Sequence, residues 1–65
     1  MDMISPQKFK ALRESKGMST RGLARAAGVS TETIHAIEHG RRQPTVTTLS
    51  KLAGALGVEV KDFFA

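Results

Sequence analysis

The chain has 65 residues and a formal net charge of +4, with 40% hydrophobic residues and no cysteine. A domain this small buries only about 60% of the surface its unfolded form exposes, which leaves no room for a second domain or a deep catalytic cleft. Disulfide staples and thiolate metal sites are excluded by the missing cysteines. The opening Met1-Asp2-Met3-Ile4 carries an acid and no long apolar run, so neither an export signal nor a membrane span is expected, and a soluble cytoplasmic protein of one domain over residues 1–65 is.

Charge is unevenly placed. From Lys8 to Lys51 there are nine Lys and Arg against three acids, Glu14, Glu32 and Glu38, a net of +6, while each end contributes −1. A basic centre of this kind is the electrostatic footprint of a polyanionic partner.

Ser5-Pro6 reads as an N-cap hydroxyl followed by proline at the first helical position, with Ile4 and Phe9 at the spacing of a hydrophobic staple. Phe9 and Leu12 form the apolar stripe of this first helix, and Gly17 ends it. Ser19 caps a short second helix over residues 20–27, buried through Leu23, Ala24 and Ala27, in which Gly22 reads as an indifferent surface position. Ser30 caps a third over residues 30–39, buried through Ile34 and Ile37 and stopped by Gly40. The basic loop Arg41-Arg42-Gln43-Pro44 leads to Thr45, which caps a fourth helix with Val46, Leu49, Leu52, Ala53 and Leu56 at steps of three and four. Residues 58–64 alternate like a strand, but a lone strand finds no partner elsewhere in the sequence. An extended turn at Val58 and a short last helix carrying Phe63 and Phe64 into the core are expected instead, giving five helices and no sheet.

Residues 20–39 organise the rest. Ala24 is small where two helix axes would cross, Gly28 is free to take positive φ in the turn, and Val29 fills the corner, which are the needs of a helix-turn-helix. Winding the third helix at 100° per residue sets Ile34, Ile37 and Glu38 on one side and Glu32, Ala36 and His39 opposite, with His35 flanking and Thr31 near the start. If that outer face enters a major groove, Thr31, Glu32, Thr33, His35 and Ala36 are the base-reading candidates. Glu32 can accept from a cytosine amino group, and alanine or threonine methyls can pack on thymine. Phosphate contacts are expected from Ser19, Thr20, Arg21, His39, Arg41, Arg42, Thr45 and Thr47, around the helix starts at Ser19 and Thr45 and in the basic loop. Glu38 faces inward and needs a partner, for which Arg13, one turn after Phe9, is placed.

No nucleophile stands beside a base and an orienting third group, so no enzyme is expected. His35 and His39 are spaced i, i+4, but H-A-I-E-H is not H-E-x-x-H and no third ligand is evident, so neither metal nor cofactor is expected. One short helix reads few bases, which calls for a two-fold partner. Val58, Val60, Phe63 and Phe64, on the less basic end, are the candidate dimer surface.

The segments L-R-E-S-K-G-M-S at 12–19, L-A-R-A-A-G-V-S at 23–30, I-H-A-I-E-H-G-R-R-Q-P-T at 34–45 and L-S-K-L-A-G-A-L-G-V at 49–58 resemble the Cro/CI-type helix-turn-helix family, also called the Xre family. The resemblance covers nearly the whole chain. It implies an all-α, compact five-helix lambda-repressor-like domain that binds operator DNA as a homodimer, as a transcriptional regulator of the repressor kind. It also supports Thr31, Glu32 and Ala36 as base readers and Arg13 with Glu38 as an ion pair. Two departures stand out: the family usually has Gln after the second helix's cap, where this chain has Thr20, and Glu32 is an unusual reader. The alternative function is a helical protein-interaction module or antitoxin-like adaptor, whose partner the sequence does not name.

Overall fold

The computed structural model describes residues 3–64. Met1, Asp2 and Ala65 lie outside it, and with them both ends of the expected domain and the first residues of the stretch read as free of an export signal.

Each α-helix starts on a hydroxyl. Ser5 caps α1 (Pro6–Ser15), its Oγ accepting from the Lys8 N–H at 3.2 Å. Ser19 caps α2 (Thr20–Ala27) through the Gly22 N–H at 2.9 Å, and Ser30 caps α3 (Thr31–Glu38) through the Thr33 N–H at 3.1 Å. Thr45 caps α4 (Val46–Leu56) through the Thr48 N–H at 3.1 Å. A cap of this type satisfies an otherwise orphaned donor and contributes about 1 kcal/mol, which matters most for helices as short as α2 and α3.

The fifth helix is a single 3₁₀ turn, Val60–Phe63, opened by a capping box in which the Glu59 N–H donates to Asp62 Oδ2 at 2.9 Å. The expected five helices are therefore four α-helices and a 3₁₀ turn. Among the described residues there is no strand, but the alternating tail does find a partner. Ile4 and Phe64 form an isolated antiparallel bridge, and the Ser5 N–H donates to the Phe63 carbonyl at 2.8 Å. The partner lies at the opposite end of the chain and pairs over one residue, too short for a periodic signal.

Phe9, Leu23, Ile34, Ile37, Leu52 and Phe63 are fully buried and form the centre of the core. Burial of a side chain of this size is worth about 1.5–3 kcal/mol. Ile4 joins them, so both members of the expected staple are inside. Phe63 is 0% exposed, with its ring centroid 5.3 Å from that of Phe9, which corrects its assignment to a dimer surface: the 3₁₀ turn aims it inward against α1. Val58, Val60 and Phe64 are half-buried against the core. Val46 is also corrected, being 76% exposed. It fits the three-and-four pattern but stands at the first helical position, one turn short of the core that Leu49 reaches.

Candidate nucleic-acid interface

The corner between α2 and α3 is made by backbone geometry. Gly28 takes φ 72°, its N–H donating to the Arg25 carbonyl at 3.3 Å, and the Val29 N–H reaches the Ala24 carbonyl at 3.0 Å. A residue with a Cβ is strained at that φ, so glycine is required where the chain turns from one helix into the next. Val29 is half-buried in the corner and Ala24 is buried beneath it in sequence, as the motif needs.

Arg13 fixes α3 from the other side. Its Nε donates to Glu38 Oε2 at 2.6 Å, its Nη2 to Glu38 Oε1 at 3.1 Å, and its Nη1 to the Met18 carbonyl at 2.8 Å. One guanidinium thus ties α1, the turn after it and α3 together. The side chains are only 10% and 7% exposed, so the two-pronged geometry is what makes the buried charges tolerable. The hydrogen bond to Glu38 raises the Arg13 pKa above its ordinary value, with burial opposing and the Glu38 and Glu14 charges assisting. Because the folded value is the higher one, this stabilisation is present below the free guanidinium's ordinary value for as long as Glu38 carries its charge, and on the alkaline side it is lost as pH rises through the folded value. Titration near neutrality does not touch the arginine.

The outer face of α3 presents Glu32, His35 and His39 to solvent, with Thr31 and Thr33 half-buried. Thr33 is partly committed, its Oγ1 lying 2.9 Å from the capping Ser30 Oγ. Ala36 is 6% exposed, which removes it from the base-reading set. The chain doubles back just beyond it: Gly40 stands at φ 69°, its N–H bonded to the Ile37 carbonyl at 3.1 Å and the Arg41 N–H to the Ala36 carbonyl at 2.9 Å. A single methyl in that last turn does not clear its neighbours. The same turn stacks the His35 and His39 rings at 6.1 Å, with His39 Nδ1 2.8 Å from the His35 carbonyl. A carbonyl only accepts, so Nδ1 carries the proton and Nε2 is left as the outward-facing nitrogen.

Of the expected phosphate-binding residues, Ser19, Arg21, His39, Arg41, Arg42, Thr45 and Thr47 are exposed and Thr20 is half-buried. The hydroxyls of Ser19 and Thr45 accept as caps, and Thr45 also donates to Thr48 Oγ1 at 3.1 Å. What these positions offer a ligand is therefore chiefly the uncapped N–H groups just after them. A cleft of about 110 Å³ brings Thr33 and Ile37 of α3 together with Arg42, Gln43, Pro44, Thr45 and Thr48. The groups at the start of α2, Arg41 and Thr47 do not line it. Gly22, read as an indifferent surface position, is half-buried, and a Cβ there would stand 3.1 Å from the Ser19 Oγ, so the position bears on the α2 cap.

Sequence reasoning missed Gln43. Its Oε1 accepts from the Ile4 N–H at 3.2 Å, a contact between residues 39 apart that no local pattern signals. Among the described residues no group of three or more His, Cys, Asp or Glu is placed to hold a metal ion, and no helix is long and apolar enough to cross a membrane.

Comparison with known proteins agrees with this architecture. The family model HTH_3, described as Helix-turn-helix, matches residues 9–63. An uncharacterized HTH-type transcriptional regulator, y4dJ of Sinorhizobium fredii, is 42% identical over 60 residues, covering 89% of this chain and 78% of the relative. The immunity repressor protein of Bacillus phage phi105 is 37% identical over 58 residues, which are 89% of this chain but 40% of the repressor. Among solved structures, the restriction-modification controller protein C.AhdI from Aeromonas hydrophila superposes with a TM-score of 0.87 at 32% identity, covering 91% of this chain and 89% of that one. SinR of Bacillus subtilis, the master regulator for biofilm formation, solved in complex with DNA, superposes with a TM-score of 0.84 at 32% identity over 89% of this chain and 97% of its own. With the capped helices, the glycine corner and the matched span in agreement, the chain belongs to the Xre-type helix-turn-helix family.

Proposed function

We propose that this protein binds double-stranded operator DNA with sequence specificity as a transcriptional regulator of the repressor kind, placing α3 in the major groove. The observation that carries this reading is the position of α3. It is held from behind by Arg13 and by the α2 corner, while Glu32 and His35 are exposed with Thr31 half-buried beside them, and Arg41 and Arg42 follow directly at its C-terminal end. The N-terminal half of the helix reads base edges, Glu32 accepting from a cytosine amino group. The basic loop and the N–H groups opening α2 and α4 hold phosphates. Repression then follows from occupancy, because a domain seated in the groove at a promoter excludes polymerase.

A second copy supplies the second half-site. Val58, Val60 and Phe64, half-buried apolar side chains at one end of the molecule, form the surface through which it docks. Selection from random duplex DNA at low salt tests the whole reading. The expected product is a two-fold symmetric pair of half-sites about 34 Å apart. Recovery of no enriched sequence, together with salt-independent capture of a protein partner, would replace DNA binding with the adaptor function.

A further inference from the structure

We propose that Gln43 is a DNA-binding residue, a phosphate donor whose amide is oriented in advance by the backbone of Ile4. This inference rests on the DNA-binding reading above and adds a residue to it. An N–H can only donate, so the Ile4 N–H, 3.2 Å away, requires the oxygen of the Gln43 amide to face it. The amide NH₂ is thereby turned to the other side, and among the described residues its two donors have no partner. A glutamine with both ends free could read adenine, which needs a donor and an acceptor together. With its oxygen engaged, Gln43 offers donors alone, which rules out paired readout of adenine and suits an acceptor such as a phosphate oxygen.

Its place in the fold is suited to that role. Gln43 lines the cleft between Thr33 of α3 and the Thr45 cap of α4, beside Arg42. The N–H groups that open α4 begin at Val46, immediately after Thr45, so a phosphate there meets the helix start, the arginine and the amide at once. The anchor is itself firm. Ile4 is buried and paired with Phe64, and the neighbouring Ser5 N–H is bonded to the Phe63 carbonyl at 2.8 Å. The loop would otherwise need to immobilise a free glutamine on binding, at a cost in side-chain entropy that the Ile4 contact has already met.

The test compares Gln43→Met, which keeps the length and loses all hydrogen bonding, with Gln43→Glu, which keeps the acceptor for Ile4 but loses the outward donors. Binding to a mixed-sequence duplex is measured as a function of salt, and exchange of the Ile4 amide is measured in the free proteins. Gln43→Met is expected to weaken binding roughly ten- to a hundredfold, the effect of one hydrogen bond to a charged acceptor, with the salt slope unchanged because a neutral donor displaces no counterion. Gln43→Glu is expected to bind more weakly than Gln43→Met while keeping the Ile4 amide protected. Gln43→Met binding like the parent, Gln43→Glu binding better than Gln43→Met, or an unprotected Ile4 amide in the parent would each overturn the proposal alone. A parent protein that binds no duplex would overturn it together with the function proposed above.

Discussion

Arg13 and Glu38 meet through two parallel hydrogen bonds, Nε to Oε2 and Nη2 to Oε1, in a place where neither side chain is more than 10% exposed. Removing one partner strands the other charge, at a cost of about 3–5 kcal/mol. A domain of this size has a total stability of roughly 3–10 kcal/mol. Glu38→Ala is therefore expected to be largely unfolded at 37 °C, as urea titration followed by circular dichroism would reveal. Replacing both residues, Arg13→Met with Glu38→Leu, should restore most of the loss; a double variant no better than the single one would mean that packing, and not the stranded charge, sets the cost.

The neighbouring phenylalanines should part company on mutation. Phe63→Ala empties a fully buried site against Phe9 and is expected to cost about 3–5 kcal/mol. Phe64 is only half-buried, so Phe64→Ser should leave a folded protein whose defect is in self-association and operator affinity. Sedimentation at matched concentrations checks this, and equal dimerisation by parent and variant would move the two-fold contact elsewhere.

Glu32 is the exposed acid of the α3 face. Glu32→Gln should change the preferred base at one position of each half-site and cost about 1–3 kcal/mol on the original site, since a carboxylate accepts from cytosine where an amide pairs with adenine. Parallel selections from random DNA with the parent and the variant would show it. Identical enriched sequences would remove Glu32 from the reading set.

Arg41 and Arg42 act differently. On the proposed reading their charge meets phosphates whatever the sequence, so replacing both with alanine should weaken specific and nonspecific binding alike and reduce the salt slope by about 2. A loss confined to one sequence would instead make them base readers.

What the sequence made legible follows from how local each cause is. The capping hydroxyls of Ser5, Ser19, Ser30 and Thr45 act within three residues, and each was readable and stands where expected. The Arg13 to Glu38 pair spans 25 positions, yet an inward carboxylate in a small core creates a demand that only a cation on a facing helix meets. Ala36 was misplaced because winding at a fixed angle treats α3 as an isolated rod and ignores the turn at Gly40 that closes over its end. Phe63 was shared between core and surface because a four-residue 3₁₀ turn is too short for periodicity to choose a face. Gln43 was invisible because its partner is a backbone N–H, which carries no residue identity at all.

The bridge between Ile4 and Phe64 brings the two ends of the described chain side by side. Residues 3 and 64 can accordingly be joined by a short linker into a closed ring without disturbing α1 or the 3₁₀ turn. Cyclisation of a loop this long removes chain entropy from the unfolded state worth about 4 kcal/mol, comparable to the cost of stranding Arg13 or Glu38 without its partner. The same proximity makes the domain a candidate for circular permutation, with new ends opened in the exposed Lys16-Gly17 turn and α3 left intact.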